Sequence, residues 1–531
     1  MKTHFLAKVA ILFQMTSGVL RNNIYLEILS SPLGNFNSLL FEFNRGIVFP
    51  IREIETMGWV KSGVKVDISK ILPNFAPQIL LLQTMQLLSY GTHCRALLKL
   101  GIPIVVGQLG IIILSLADTL MVGRYGTNEL AAASFVNNMF NLVIMFATGF
   151  SYGLTPIVGR LFGCRNYAAI GGQLKNGLFA NMLVALLLSL GMLMLYFNLH
   201  RLGQPAELLP LMRPYYVTLL VSVVFVMLFN AFKQFADGIT DTKISMWMLL
   251  SGNMLNIVGN WLLIYGNLGF PEMGLLGAGV ATLVSRVLMV VSFALYFFLV
   301  PRYRAYREGF LAIKINRSDL MAVNKLGLPV ALQMTMETAS FSLTAVMVGW
   351  LGTLALAAHQ VMLTVGQLGF MLYYGMAAAI TVRVSNFHGA RDFPNLQRAV
   401  HAGWRLIMTM AVMVALLMFV FRSQLGVWFT DSEEVATVVA TLVIPFIVYQ
   451  FGDGLQCTFA NALRGISEVK QMVVISFIAY VLISLPAAYV FAFVFDWGLT
   501  GIWYSFPLGL TSAGVLFWLN FRKKMRKMGG R

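Results

Sequence analysis

Three carboxylates lie inside long apolar runs of this chain: Asp118, Glu337 and Asp453. A charged carboxylate in hydrocarbon costs roughly 2.5–3.5 kcal/mol even on the lenient insertion scale, so such groups usually face a water-filled cavity. Desolvation favours the neutral form of a carboxyl group, which lets one in a cavity exchange a proton near neutral pH. With further oxygens around it, the same group holds a hard cation such as sodium, and the sequence does not choose between the two. The competing reading is a buried carboxyl kept protonated, or one satisfied by its helix neighbours. Asp118 lies toward the outer end of its run, which makes it the weaker candidate of the three.

Other polar residues share these runs. Tyr449 stands four residues before Asp453, one turn away on the same helix face, so its phenol can reach the same cavity. Asn253, Asn256 and Asn260 share part of a face and are placed to surround Asp118. The alternative is interhelical hydrogen bonding, worth about 0.6 kcal/mol each in membranes. Gln333, Gln360 and Gln367 put amides on two successive runs. With Met334, Met336 and Phe370 they fit an adaptable apolar cavity with a few polar contacts, or ordinary packing with Met as filler. Arg286 pairs with a carboxylate, lines the cavity or snorkels to an interface.

What positions these groups must be a membrane bundle. The 531 residues are 58% hydrophobic and 11% charged, with a mean hydropathy of +0.77. Soluble domains carry about 25% charged residues, so lipid is the solvent here. Apolar runs of membrane-spanning length lie near 100–123, 133–158, 177–199, 213–234, 245–266, 275–300, 326–350, 356–382, 404–424, 435–461, 469–493 and 498–521. The expected fold is an all-α polytopic membrane protein of twelve transmembrane helices, in two six-helix lobes related by pseudo-two-fold symmetry. The expected units are a 1–94 extension, an N-lobe over 95–301, a linker over 302–325, a C-lobe over 326–521 and a basic tail over 522–531. The extension is expected to be poorly ordered, or to reflect an upstream start, with Met85 a plausible initiator.

The net charge of +17 follows from the positive-inside bias rather than from nucleic acid, because no aromatic-interleaved basic domain is present. Of 30 Lys and Arg residues from Arg95 onward, Arg124, Arg201, Arg213 and Arg422 lie in one set of alternating loops and Arg286 inside a span. The others lie in the opposite loops and both flanks. This predicts a multi-pass plasma (bacterial inner) membrane protein with both ends of the twelve-helix unit in the cytoplasm. Cys94, Cys164 and Cys457 are scattered and fit neither a metal site nor a disulfide framework.

The two lobes are visible as a repeat. Lys99-Leu100-Gly101-Ile102-Pro103 returns as Lys325-Leu326-Gly327-Leu328-Pro329. The same offset pairs Met121-Val122-Gly123 with Met347-Val348-Gly349, and Leu130-Ala131-Ala132 with Leu356-Ala357-Ala358. It also pairs Gly149 with Gly375, Thr155 with Thr381, Gly163 with Gly389 and Arg165 with Arg391. A long internal repeat in so apolar a chain marks a two-lobed transporter with its pathway between the halves. The acidic groups are not repeated: Asp118 falls opposite Thr344, and Glu337 opposite Ile111.

From about 95 to 525 the chain resembles the multidrug and toxic compound extrusion (MATE) family, in its NorM-like branch. The resemblance rests on Pro103, Leu116 to Gly123, Leu130-Ala131-Ala132, Gly327-Leu328-Pro329, Glu337, Leu356 to Gln360, Tyr449 to Asp453 and Ala462-Leu463-Arg464-Gly465. It implies an antiporter that moves cationic and amphipathic organic compounds outward in exchange for sodium or protons, by alternating access. Glu337, Asp453 and Tyr449 match the family's C-lobe cation-site positions, with sodium, if it is the ion, held at Glu337 and Asp453. Asp118 matches the aspartate of the first helix, and Asn256 and Asn260 its companions on the fifth, where some members carry an acid in place of Asn260. That departure weakens the N-lobe as a cation site. The expected partners are small organic cations or amphipathic drugs and the lipid bilayer. No cofactor beyond the coupling ion, no nucleic acid and no obligate protein partner is expected, and the protein is expected to be a monomer.

Two other readings compete. A lipid-linked precursor flippase of the same wider superfamily needs a basic cavity for pyrophosphate, whereas three intramembrane carboxylates favour a cationic cargo. An intramembrane enzyme would need more than His359, which has no Cys, Ser or metal-ligand constellation at useful spacing. No Walker motif supplies ATP chemistry.

Overall fold

A computed structural model describes residues 87–201, 203 and 205–529, together with three short strands further upstream. The chain divides into two units, Met1–Thr84 and Met85–Arg531. In the first, β1 (Glu27–Ile28), β2 (Leu39–Phe43) and β3 (Ile47–Ile51) form an antiparallel sheet in that order, with Phe41 opposite Phe49. At the C-terminal end of the expected 1–94 extension, Ser89 accepts a hydrogen bond from the Thr92 amide and caps a helix that starts at Tyr90. The rest of 1–86 lies outside the described residues.

The second unit is all-α. Its long helices are α1 (Tyr90–Tyr125), α2 (Thr127–Gly163, broken at Tyr152-Gly153), α3 (Tyr167–Phe197), α4 (Leu209–Gly238), α5 (Thr242–Tyr265) and α6 (Gly274–Leu299) in the N-lobe. The C-lobe holds α7 (Arg317–Trp350), α8 (Thr353–Gly389), α9 (Phe393–Val420), α10 (Glu433–Gly465), α11 (Lys470–Val494) and α12 (Gly498–Met528). Eleven of these are apolar enough along their length to cross a membrane. The other, α7, is 34 residues long and carries Lys325, Gln333 and Glu337 among its apolar residues. Large side chains such as Leu187, Met194, Trp247 and Met254 stand exposed on the outer faces, as lipid demands.

Helices run past the apolar segments at their basic ends. Within the expected 522–531 tail, α12 continues as far as Met528. The linker contains a helix, Arg304–Ala312, and the first turns of α7. That linker helix lies on α3 so closely that a Cβ on Gly309 would meet the backbone of Ala168. Asp241 anchors its start, accepting from Tyr303 at 3.1 Å and pairing with Arg302 at 3.1 Å. Burial and the Asp241 carboxylate raise the Tyr303 phenol, and burial with Tyr167 beside it pushes Tyr306 up to about 12, so both stay protonated donors.

The repeat reappears as geometry. The turns after α2 and α8 both use a left-handed arginine, Arg165 at φ 59° and Arg391 at φ 56°. Both next helices are capped by the following residue, Asn166 on the Ala169 amide and Asp392 on the Asn395 amide. The lobes meet at these basic ends through matched close contacts. A Cβ on Gly149 of α2 would lie 2.7 Å from Ala331 Cα of α7, and one on Gly375 of α8 would lie 3.0 Å from Val105 Cα of α1. Val105 and Ala331 are themselves repeat partners, so one contact is the two-fold image of the other. Gly163 against Asn386 and Gly389 against Arg160 form a second matched pair.

Candidate functional site

The C-lobe site is built on α7 and α10. Ser432 caps α10 by accepting from the Val435 amide, and Glu433 and Glu434 complement the helix dipole in its first turn. From Tyr449 to Gly465 nearly every residue of α10 is buried, as for a helix at the centre of a bundle. Asp453 is 1% exposed. Its Oδ1 accepts from Cys457 Sγ at 3.5 Å, and its Oδ2 has no partner. Glu337, half-buried on α7, lies within electrostatic reach of Asp453. Its Oε2 accepts from Gln333 Nε2 at 2.9 Å and from Gln456 Nε2 at 3.3 Å, and Gln456 also reaches the Tyr480 hydroxyl at 2.9 Å.

Tyr449 belongs to the same cluster, within electrostatic reach of both carboxylates. It stacks on Phe446 at 5.6 Å and lies in a wall with Phe341, Trp503 and Phe506. The three residues predicted for this site are therefore together. In this cluster Asp453 Oδ2 and Gln456 Oε1 are buried without partners. Among the described residues, no cluster of three or more His, Cys, Asp and Glu side chains has metal-binding geometry, so a cation here would rely on amide and phenol oxygens as well.

The N-lobe carboxylate is hydrogen-bonded within its own lobe. Asp118 Oδ1 accepts from Asn260 at 2.5 Å, and Asn260 also donates to Asn256 at 3.1 Å. With its amide turned, Asn256 gives up that contact and instead donates to Asp118 at 3.1 Å. Arg286 does not snorkel: it donates to Ser222 at 2.6 Å and lies within electrostatic reach of Asp118. Asn253 is not a partner of Asp118. It packs against Gly110, two turns earlier on α1.

The predicted cavity residues divide. Gln333 is 1% exposed and belongs to the Glu337 network. Gln360 and Gln367 are exposed along one face of α8, and Phe370 lies beside Tyr374 at 5.4 Å. His359 is 1% exposed, with both ring nitrogens unpartnered, against Trp503 and Phe506.

Some polar residues escaped the sequence reading. Lys233 and Asp237 form a 2.8 Å ion pair at 9% and 4% side-chain exposure, inside α4 rather than in a loop. Their i,i+4 spacing was the available signal. Thr155 donates to Gln234 at 2.7 Å, and its repeat partner Thr381 donates to Asn461 at 3.0 Å. Arg464 donates to Gln333 across two helices, which no spacing reveals.

The MatE family profile matches this chain twice, over residues 103–262 and 329–490, one match in each lobe. The multidrug resistance protein NorM of Photobacterium profundum is 30% identical over 445 residues, covering 82% of this chain and 96% of the relative. A probable multidrug resistance protein NorM of Photorhabdus laumondii is 29% identical over 439 residues, covering 82% and 96%. Among solved structures, an outward-facing multidrug resistance MATE family transporter of the MOP superfamily superposes with a TM-score of 0.76 at 21% identity, covering 83% of this chain and 97% of the other. That likeness carries the fold, and the two profile matches with the NorM relatives carry the family. The chain belongs to the MatE family of multidrug efflux transporters, as a NorM-like member with twelve helices in two lobes.

Proposed function

We propose that the protein is a cation-coupled antiporter that exports cationic or amphipathic organic compounds by alternating access. The observation that supports the reading is that Glu337 and Asp453, from two membrane-spanning helices, lie within electrostatic reach of each other and of Tyr449, with Asp453 Oδ2 left without a partner. Two such groups repel when both are charged, and a proton or sodium ion relieves that repulsion. The exposed amides Gln360 and Gln367 and the ring of Phe370 would meet the organic cargo in the cleft between the lobes. The positive-inside bias puts the basic ends, where the lobes touch, in the cytoplasm of the cell bearing this plasma membrane protein. The described contacts would then represent the state closed to the cytoplasm.

Ethidium efflux from proteoliposomes, with sodium and pH gradients imposed separately, tests the reading. One gradient should drive export and the other should not. Export that ignores both gradients would overturn it.

A further inference from the structure

The C-lobe network continues from Glu337 to the surface between the lobes. Arg464 is 4% exposed near the basic end of α10. Its Nη2 donates to Gln333 Oε1, and Gln333 Nε2 donates to Glu337 at 2.9 Å. Its Nη1 reaches Asn461 Oδ1 at 3.4 Å, and its Nε has no partner. The guanidinium lies 5.8 Å from the ring centroid of Tyr152, which belongs to the other lobe.

Arg464 also lines a small, partly open cavity of about 10 Å³, together with Tyr152, Thr155, Gln234 and Asp237 of the other lobe. Asp237 is 3% exposed, with Oδ2 on Lys233 and Oδ1 unpartnered. Asp237 and Arg464 hold structurally matching places, one residue beyond the offset that relates the earlier helices. Each precedes a glycine, Gly238 or Gly465, that packs in the same way on Val158 or Val384. The two-fold thus sets an acid of one lobe opposite a base of the other.

We propose that Arg464 is a positioning residue that couples ion loading at Glu337 to the seal between the lobes. The inference rests on the reading of Glu337 as the coupling site. With Glu337 unloaded, Gln333 bridges Glu337 to Arg464 and holds the guanidinium against Tyr152 and the Asp237 wall, which keeps the basic ends closed. A proton or sodium ion on Glu337 removes the charge that orients Gln333. Gln333 then turns its amide, Arg464 loses its anchor, and the seal loosens. The ion thereby binds the two lobe arrangements unequally, which is what a driving ion must do.

The test is a double electron–electron resonance measurement on full-length protein in nanodiscs, with spin labels on the α2–α3 and α8–α9 turns. Sodium chloride and a pH step are the probes. In the wild type, one of them should lengthen the label distance. Arg464→Gln should lose that shift while sodium or proton uptake by calorimetry persists. Gln333→Met, which cuts the bridge but leaves Arg464 in place, should lose it too and covers the case of an unstable Arg464→Gln.

A full shift in either folded variant overturns the proposal. In Arg464→Gln, loss of ion uptake together with the shift also overturns it, because Arg464 would then merely build the ion site. Glu337→Gln serves as the parallel arm. If that variant keeps the wild-type shift, the assignment of Glu337 is what fails, and this coupling role falls with it.

Discussion

Gly163 and Gly389 are repeat partners that press on each other's neighbours across the lobe boundary: a Cβ on Gly163 would strike the Asn386 carbonyl, and one on Gly389 would strike the Arg160 carbonyl. Cys164 reinforces the contact by donating to the Gly389 carbonyl at 3.0 Å. Backbone on both sides leaves no side chain to move aside, so closure at the basic ends requires glycine at both places.

Substituting either glycine should therefore force the lobes apart there. Gly389→Ala adds overpacking of about 1–3 kcal/mol, which shifts a two-state equilibrium roughly 5- to 150-fold. The expected result is a longer distance between spin labels on the α2–α3 and α8–α9 turns, with slowed efflux and an unchanged yield of folded protein. A distance distribution identical to wild type would show that these glycines are not the seal.

Glu337→Gln and Asp453→Asn should each lower gradient-driven efflux at least tenfold while the protein still inserts. Both changes keep shape and remove the exchangeable charge. Transport assays on matched amounts of reconstituted protein check this, and wild-type rates in both variants would reject the ion assignment.

Asp118→Asn should cost less, because Asn260, Asn256 and Arg286 already surround that carboxylate. Less than a tenfold loss of driven efflux is expected. A loss equal to that of Glu337→Gln would move the coupling site into the N-lobe.

The Lys233–Asp237 pair predicts a stability signature without reference to transport. Breaking a buried pair by removing one partner costs about 3–5 kcal/mol, whereas replacing both with apolar residues of similar volume is close to neutral. Lys233→Met and Asp237→Leu should each lower the thermal midpoint strongly, and the double variant should recover most of it. Midpoints from fluorescence-detected size exclusion decide the matter, and additive losses would contradict the pairing.

The sequence by itself determined the membrane class and the two lobes, and it singled out the carboxylates inside the apolar runs. These are properties of runs and offsets along one chain: apolar length reports the bilayer, and matched spacing reports duplication. It also marked the glycines of the interface, as the repeat pairs Gly149 with Gly375 and Gly163 with Gly389, without saying what they touch. Only the tertiary structure decided that these pairs face the opposite lobe, because that depends on how two rigid bundles dock. The same holds for single side chains. Gln333 and Gln360 look alike in sequence, yet helix rotation buries one between Glu337 and Arg464 and leaves the other exposed on α8. Asp118 and Asp453 both stand in apolar runs, but two asparagines from α5 reach the first, while the second keeps an oxygen free. The partners of a buried charge come from other helices, so their identity is set by packing between helices.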